Sequence, residues 1–197
     1  MKYPNFFDTI ETIKLKDELS DFLGAFEEGI VEFSYLDIVK SAGHSCPTVA
    51  GAYIMTLVAL KELYKDEIPK RGDVFVSFKE DSKEGVTGVI SNVISQITGA
   101  TESSGFKGLN EKFQRFGLMK FNDTISSNVR FQRMDNCEKV EVIYNPSVIE
   151  TNSKMSELMQ KLMKNQATKE EKEEFGKLWQ QRVENIFNNI DKVIKII

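Results

Sequence analysis

One stretch constrains the fold more than any other. After Cys46-Pro47 the chain carries Val49, Ala50, Tyr53, Ile54, Leu57, Val58, Leu60 and Leu63, with Gly51 and further alanines in between. Pro47 suits the first turn of a helix, where a missing N–H costs nothing. A helix that is apolar on most of its sides offers no face to water, so it must be buried at the centre of the fold. Its small residues let neighbours approach closely. The rest of the chain therefore has to supply layers that cover this helix on several sides.

The covering elements are legible from periodicity. Leu19, Phe22 and Leu23 have helical spacing within residues 17–25, and a second short helix is expected from Ser34 to Ala42. Ser34 is placed to cap it, and Gly43 stands where a left-handed terminating residue is wanted. Val74, Val76 and Phe78 alternate with Phe75 and Ser77, the pattern of a strand after a turn at Pro69–Gly72. Val86, Val89, Ile90, Val93, Ile94 and Ile97 follow the i, i+3, i+4, i+7 pattern of an amphipathic helix that Gly99 ends. Residues 99–117 read as a long loop, a class that is often functional. Two strand-like runs, 129–134 and 139–144, flank Asp135-Asn136-Cys137-Glu138, which predicts a hairpin with Cys137 in its turn.

After Asn145-Pro146 the pattern predicts helix only. Met155, Leu158, Met159, Leu162 and Met163 form one stripe, Thr168 with Glu171 looks like a capping box, and Phe175, Leu178, Trp179, Arg182, Val183 and Ile186 continue a second helix. The expected class is α+β: a mixed or antiparallel sheet packed with the central helix in residues 1–150, and a helical hairpin in residues 151–197.

Composition sets the surroundings. A net charge of −4 with no basic cluster argues against a nucleic-acid binder. No apolar run is long enough to span a bilayer, and the first residues lack a signal-peptide core. Two cysteines cannot build a disulfide framework. A cytoplasmic protein is the expectation.

The chemistry concentrates at Gly43-His44-Ser45-Cys46-Pro47, which holds the only histidine and one of the two cysteines. Imidazole nitrogen and thiolate sulfur are a donor set that zinc accepts, as do iron and copper. A His-x-Cys pair reaches one metal only from irregular backbone, which Gly43 and Pro47 encourage. The N-terminus of the following helix favours a thiolate at Cys46. Against this stands the plainer reading, a small core thiol beside a hydrogen-bonded histidine. Two ligands also fall short of the four of a structural zinc site and the three of a catalytic one. Further ligands would come from a carboxylate, from Cys137, from a second copy of the chain or from a bound molecule. Asp37, about two helical turns before His44, is one candidate; Thr87 and Lys107 are other possible site residues. Lys107, Arg115 and Arg130 are potential anion binders, with surface charge as the ordinary alternative. Cys46-Pro47 beside His44 also resembles a haem-ligating arrangement, so haem or another metallocofactor is the alternative cofactor. A metal-free thiol enzyme and a purely structural motif complete the alternatives. The sequence assigns no substrate and no reaction.

The Gly43–Pro47 motif followed by a Gly/Ala-rich helix resembles the Gly-His-x-Cys-Pro motif of the FmdE-like family, whose name derives from formylmethanofuran dehydrogenase. Residues 92–101, ending in Thr98-Gly99-Ala100-Thr101, resemble that family's helix closing on Thr-Gly-Cys-Thr, and Gln166 to Phe175 is similar to its C-terminal helical pair. Together the matches span most of residues 31–187. The resemblance implies an α+β core, a metal (commonly zinc) at His44 and Cys46, and a homodimer. It does not imply formylmethanofuran chemistry. The chain departs from the family at two thiol positions, now Val89 and Ala100, and has Asn92 where the family often has Asp. The expectation is thus an incomplete His44/Cys46 site.

Overall fold

In a computed structural model that describes residues 1–197, helix α3 (Pro47–Tyr64) occupies the centre. Val49 to Leu57 are buried without a break, and Ala59, Leu60, Leu63 and Tyr64 follow. Four kinds of neighbour share its surface: α2 (Tyr35–Ala42), α4 (Thr87–Thr98), the sheet through β6 (Lys139–Tyr144), and α6 (Lys169–Phe187). The apolar-all-round sequence is thus explained by a helix that neighbours cover along most of its length, with Lys61 and Glu62 reaching solvent near its end. A close approach occurs at Gly51, where the Tyr144 ring lies so near that any Cβ would overlap its Cε1.

The main sheet has five strands in the order β4-β3-β5-β6-β7: β3 is Val74–Phe78, β4 Met119–Lys120, β5 Val129–Arg133 and β7 Ile194–Ile196. β3 pairs with β4 in parallel and with β5 antiparallel, and β5, β6 and β7 continue antiparallel. The sheet is mixed, and the fold is α+β, as the patterning predicts. The inward residues Val74, Val76, Phe78, Val129, Phe131, Val140 and Val142 alternate along their strands and join the core.

Local signals placed the helix ends. Ser34 and Asp37 form a reciprocal capping box on α2, and Gly43 closes it at φ 75°. Gly99 closes α4 in the same way at φ 76°. Thr168 and Glu171 cap α6. The β5–β6 hairpin carries Cys137 in its turn, at φ 63°.

Three features differ from the expectation. A two-stranded antiparallel sheet, β1 (Ile13–Lys16) with β2 (Ile30–Phe33), precedes α2, where periodicity marked only the short helix α1 (Glu18–Phe22). Strands of this length carry too few alternating residues to stand out. The chain after residue 146 is not helix only: beyond the paired helices α5 (Lys154–Met163) and α6, the one-turn helix α7 (Ile190–Val193) leads into β7, which adds to the sheet against β6. Finally, Arg115 in the 99–117 loop is buried rather than a surface charge.

Candidate functional site

The Gly43–Pro47 segment is the link between α2 and α3. Gly43 reverses the chain in the left-handed region, and Cys46 takes an extended conformation (φ −150°, ψ 168°) as the N-cap of α3. Its Sγ accepts the Val49 backbone N–H at 3.4 Å, the place that an oxygen cap would take. His44 is exposed, and its Nδ1 lies 3.0 Å from the Ala42 carbonyl. A carbonyl only accepts, so Nδ1 carries a proton, and in the neutral ring the lone pair lies on Nε2.

The backbone of this segment is held from three directions. Ser45 is buried, with its Oγ 2.9 Å from the Tyr35 hydroxyl on α2. The Ser45 carbonyl accepts two bonds from α6, from Trp179 Nε1 at 2.9 Å and from Gln180 Nε2 at 3.3 Å. The Pro47 carbonyl accepts the Tyr144 hydroxyl of β6 at 2.7 Å. The Tyr144 ring reaches that position because residue 51 is glycine. Burial pushes the Tyr35 and Tyr144 phenols above their ordinary range, so both stay neutral hydrogen-bonding groups. A cavity of about 470 Å³ opens beside the segment, with Gly43, Ser45, Leu36, Val39 and Gln180 in its lining.

Two buried polar atoms of α6 have no partner, Gln180 Oε1 and Arg182 Nε. Helical geometry of about 100° per residue sets Arg182 on the side of Trp179 away from Gln180.

The other residues singled out by sequence lie elsewhere. Asp37 is occupied by its capping role: Oδ2 accepts the Ser34 N–H at 3.0 Å and the Ser34 hydroxyl at 2.6 Å, and Oδ1 meets Lys40 at 3.4 Å. Burial alone would raise its carboxyl, and the Ser34 bonds outweigh that to hold it below the usual range. Thr87 donates to Glu80 Oε2 at 2.9 Å at the start of α4. Lys107 is exposed in the 99–117 loop, and Cys137 is exposed at its hairpin turn. Arg130 is taken by Glu141 at 2.6 Å. Val89 is partly exposed on α4, and Ala100 is fully buried. No three of the His, Cys, Asp and Glu side chains converge as a metal cluster. The donor types at His44 and Cys46 suit zinc, and their number does not make a self-contained site.

Sequence reasoning missed Tyr35 and Tyr144 as partners of the motif, and the bond from Trp179 to Ser45. The one usable signal was Trp179, the only tryptophan, on the apolar side of its helix.

No helix is long and apolar enough to cross a membrane. A family model described as FmdE, molybdenum formylmethanofuran dehydrogenase operon, matches residues 42–195, from the last residue of α2 into β7. No curated protein matches the chain.

Proposed function

Because the chain belongs to the FmdE family, we propose that it is a metal-binding protein in which His44 Nε2 and Cys46 Sγ are two donors to zinc or another transition metal. The remaining donors come from outside the chain, from a second copy in a homodimer or from a bound small molecule. The observation that carries this reading is the hydrogen bond from His44 Nδ1 to the Ala42 carbonyl. It orients the ring and, in the neutral form, leaves Nε2 as the donor atom, the arrangement that metal-ligating histidines use. The anchored backbone of Ser45 and Pro47 supports it further, because a donor pair two residues apart needs a rigid irregular segment. The family description refers to the formylmethanofuran dehydrogenase operon. A part in that system, in the cytoplasm, is the coarser proposal, and no reaction is assigned to this chain.

The test is metal analysis of untagged protein purified without added metal, followed by zinc titration against a chelating dye. Wild type is expected to retain metal, at one equivalent per two chains if a second copy completes the site. His44→Ala and Cys46→Ser are each expected to lose it with their circular dichroism unchanged. A metal-free wild type that behaves identically to Cys46→Ser in the titration overturns the reading. A Soret shift on haem addition that depends on His44 or Cys46, with no zinc retention, replaces it with the haem alternative.

A further inference from the structure

The chain has five arginines. Four are paired with carboxylates: Arg71 and Arg115 with Asp17, Arg130 with Glu141, and Arg133 with Glu67 and Asp135. Arg182 is the exception. It has no carboxylate within ion-pair distance, and its Nε is buried without any partner. A partly buried guanidinium without a counter-charge is unfavourable, and this one stands in a structure that pairs every other arginine.

Its position is fixed by its neighbours on α6. Arg182 follows Trp179 by three residues and so shares a face with it, one turn on. Trp179 Nε1 ties that face to the Ser45 carbonyl, and Val183 beside it is fully buried. Burial raises the Tyr144 phenol, and the Arg182 cation near it offsets part of that rise. Tyr144 in turn holds the Pro47 carbonyl. Arg182 thus stands near Trp179 and Tyr144, the two side chains that hold the backbone of Ser45 and Pro47.

We propose that Arg182 anchors a small oxyanion, the carboxylate or phosphate group of a ligand that binds against the Gly43–Pro47 segment. The two Nη groups of a guanidinium match two oxygens of such a group at once. The proposal deepens the reading above and rests on it in taking this segment as a ligand site; it adds that the ligand is an anion and that α6 supplies its recognition.

The test uses the full chain, kept metal-free in chelator, with Trp179 fluorescence as the readout; Trp179 is the only tryptophan. Sodium acetate and inorganic phosphate are titrated at constant ionic strength against sodium chloride. Wild type is expected to give a saturable change with at least one of the two, and the tighter anion tells carboxylate from phosphate. Arg182→Met is expected to weaken it tenfold or more, and Arg182→Lys to fall between. Arg182→Met removes an unpaired charge, so it should fold with wild-type circular dichroism. Should it fail to fold, the Arg182→Lys titration decides, since a loss of affinity below threefold there counts against the proposal. No saturable response in wild type, or an equal response in folded Arg182→Met, overturns it. Cys46→Ser separates the two readings: it should bind the anion as wild type does while losing metal. Retained metal with no anion response sinks this proposal alone, and anion binding in a protein that never takes metal sinks the metal reading alone.

Discussion

Two polar clusters in this protein invite comparison. One joins the start of α1 to the 99–117 loop through Asp17, Arg71 and Arg115. The other is the Gly43–Pro47 segment with the face of α6 that packs on it. In the first, nearly all the hydrogen-bonding capacity is used. Arg71 donates from Nε to the Ile97 carbonyl at 3.0 Å, from Nη2 to the Gln96 carbonyl at 2.9 Å, and from Nη1 to Asp17 at 2.9 Å. Arg115 meets Asp17 at 2.7 Å and also bonds the Arg71 carbonyl. Asp17 accepts the N–H groups of Leu19 and Ser20 besides. In the second cluster the backbone is equally well tied, and the side chains are not: His44 Nε2, Gln180 Oε1 and Arg182 are all left open. A closed network does architectural work, because its members are already committed to one another. A rigid backbone that presents uncommitted groups has capacity for a ligand.

The closed cluster should break hardest. Asp17→Ala leaves Arg115 as an uncompensated buried cation, a change that costs about 3–5 kcal/mol. The expected readout is a lower guanidinium midpoint with an unchanged slope. The cluster also sets a pH dependence. Burial by itself would raise the Asp17 carboxyl, but the bond from Arg71 and the charge of Arg115 outweigh it and hold the carboxyl below its ordinary range. A depressed folded value means that the stabilisation is present above the unfolded Asp pKa of about 3.9, and is lost as pH falls through the folded value. Wild type should therefore lose stability below about pH 4 by more than Asp17→Ala does. Equal acid slopes for the two proteins would show that the cluster is not the closed network described.

Next in size is Gly51→Ala, which strikes the support of the open site. The new methyl would overlap the Tyr144 ring. Overpacking of this kind costs about 1–3 kcal/mol. Tyr144 must shift, so the Pro47 carbonyl loses its partner and the segment loosens. Metal retention should fall together with stability, whereas Asp17→Ala at a temperature where it remains folded should leave metal retention as it was.

What sequence revealed, and what it did not, follows the range of the interactions. Ser34, Gly43, Pro47 and the Thr168–Glu171 box act over three or four residues, and each marked its helix end correctly. The apolar periodicity of 49–63 and 86–97 and the alternation at 74–78 are equally local. The partners of the motif are not. Tyr35, Tyr144 and Trp179 reach it across 10, 97 and 134 positions. No spacing rule links Trp179 to Ser45, and although Arg182 falls in the stripe of its helix, nothing in the sequence says that it lacks the carboxylate partner that Arg115 has. Asp37 illustrates the converse. Its distance of two helical turns from His44 suggested a shared face, and its carboxylate is taken up by the cap that the same sequence predicts. The short strands β1, β2, β4 and β7 escaped because pairing, rather than their own pattern, makes them strands.

Trp179→Phe probes the tie between α6 and the segment. It removes one of two donors to the Ser45 carbonyl, so the loss should be about 1 kcal/mol, with Gln180 still in place. Gln180→Leu in that background should cost more than Gln180→Leu alone, because only the double variant leaves the buried carbonyl of Ser45 without either partner. Additive losses in the denaturation series would mean that the two donors do not share the work.

The smallest expected stability effects bring the comparison to its sharpest point. His44 and Cys137 are both exposed, and neither packs in the core. His44→Ala and Cys137→Ser should each stay within about 0.5 kcal/mol of wild type in denaturation. Stability alone would therefore rank them as equals. Cys137 sits exposed at φ 63° in the β5–β6 turn, whereas His44 stands on an anchored segment with its ring held by the Ala42 carbonyl. Zinc titration should separate the pair by tenfold or more, with Cys137→Ser indistinguishable from wild type. If Cys137→Ser lost metal as His44→Ala does, the missing donor would be the hairpin thiol of a second copy. The open cluster would then be closed by assembly instead of by a ligand.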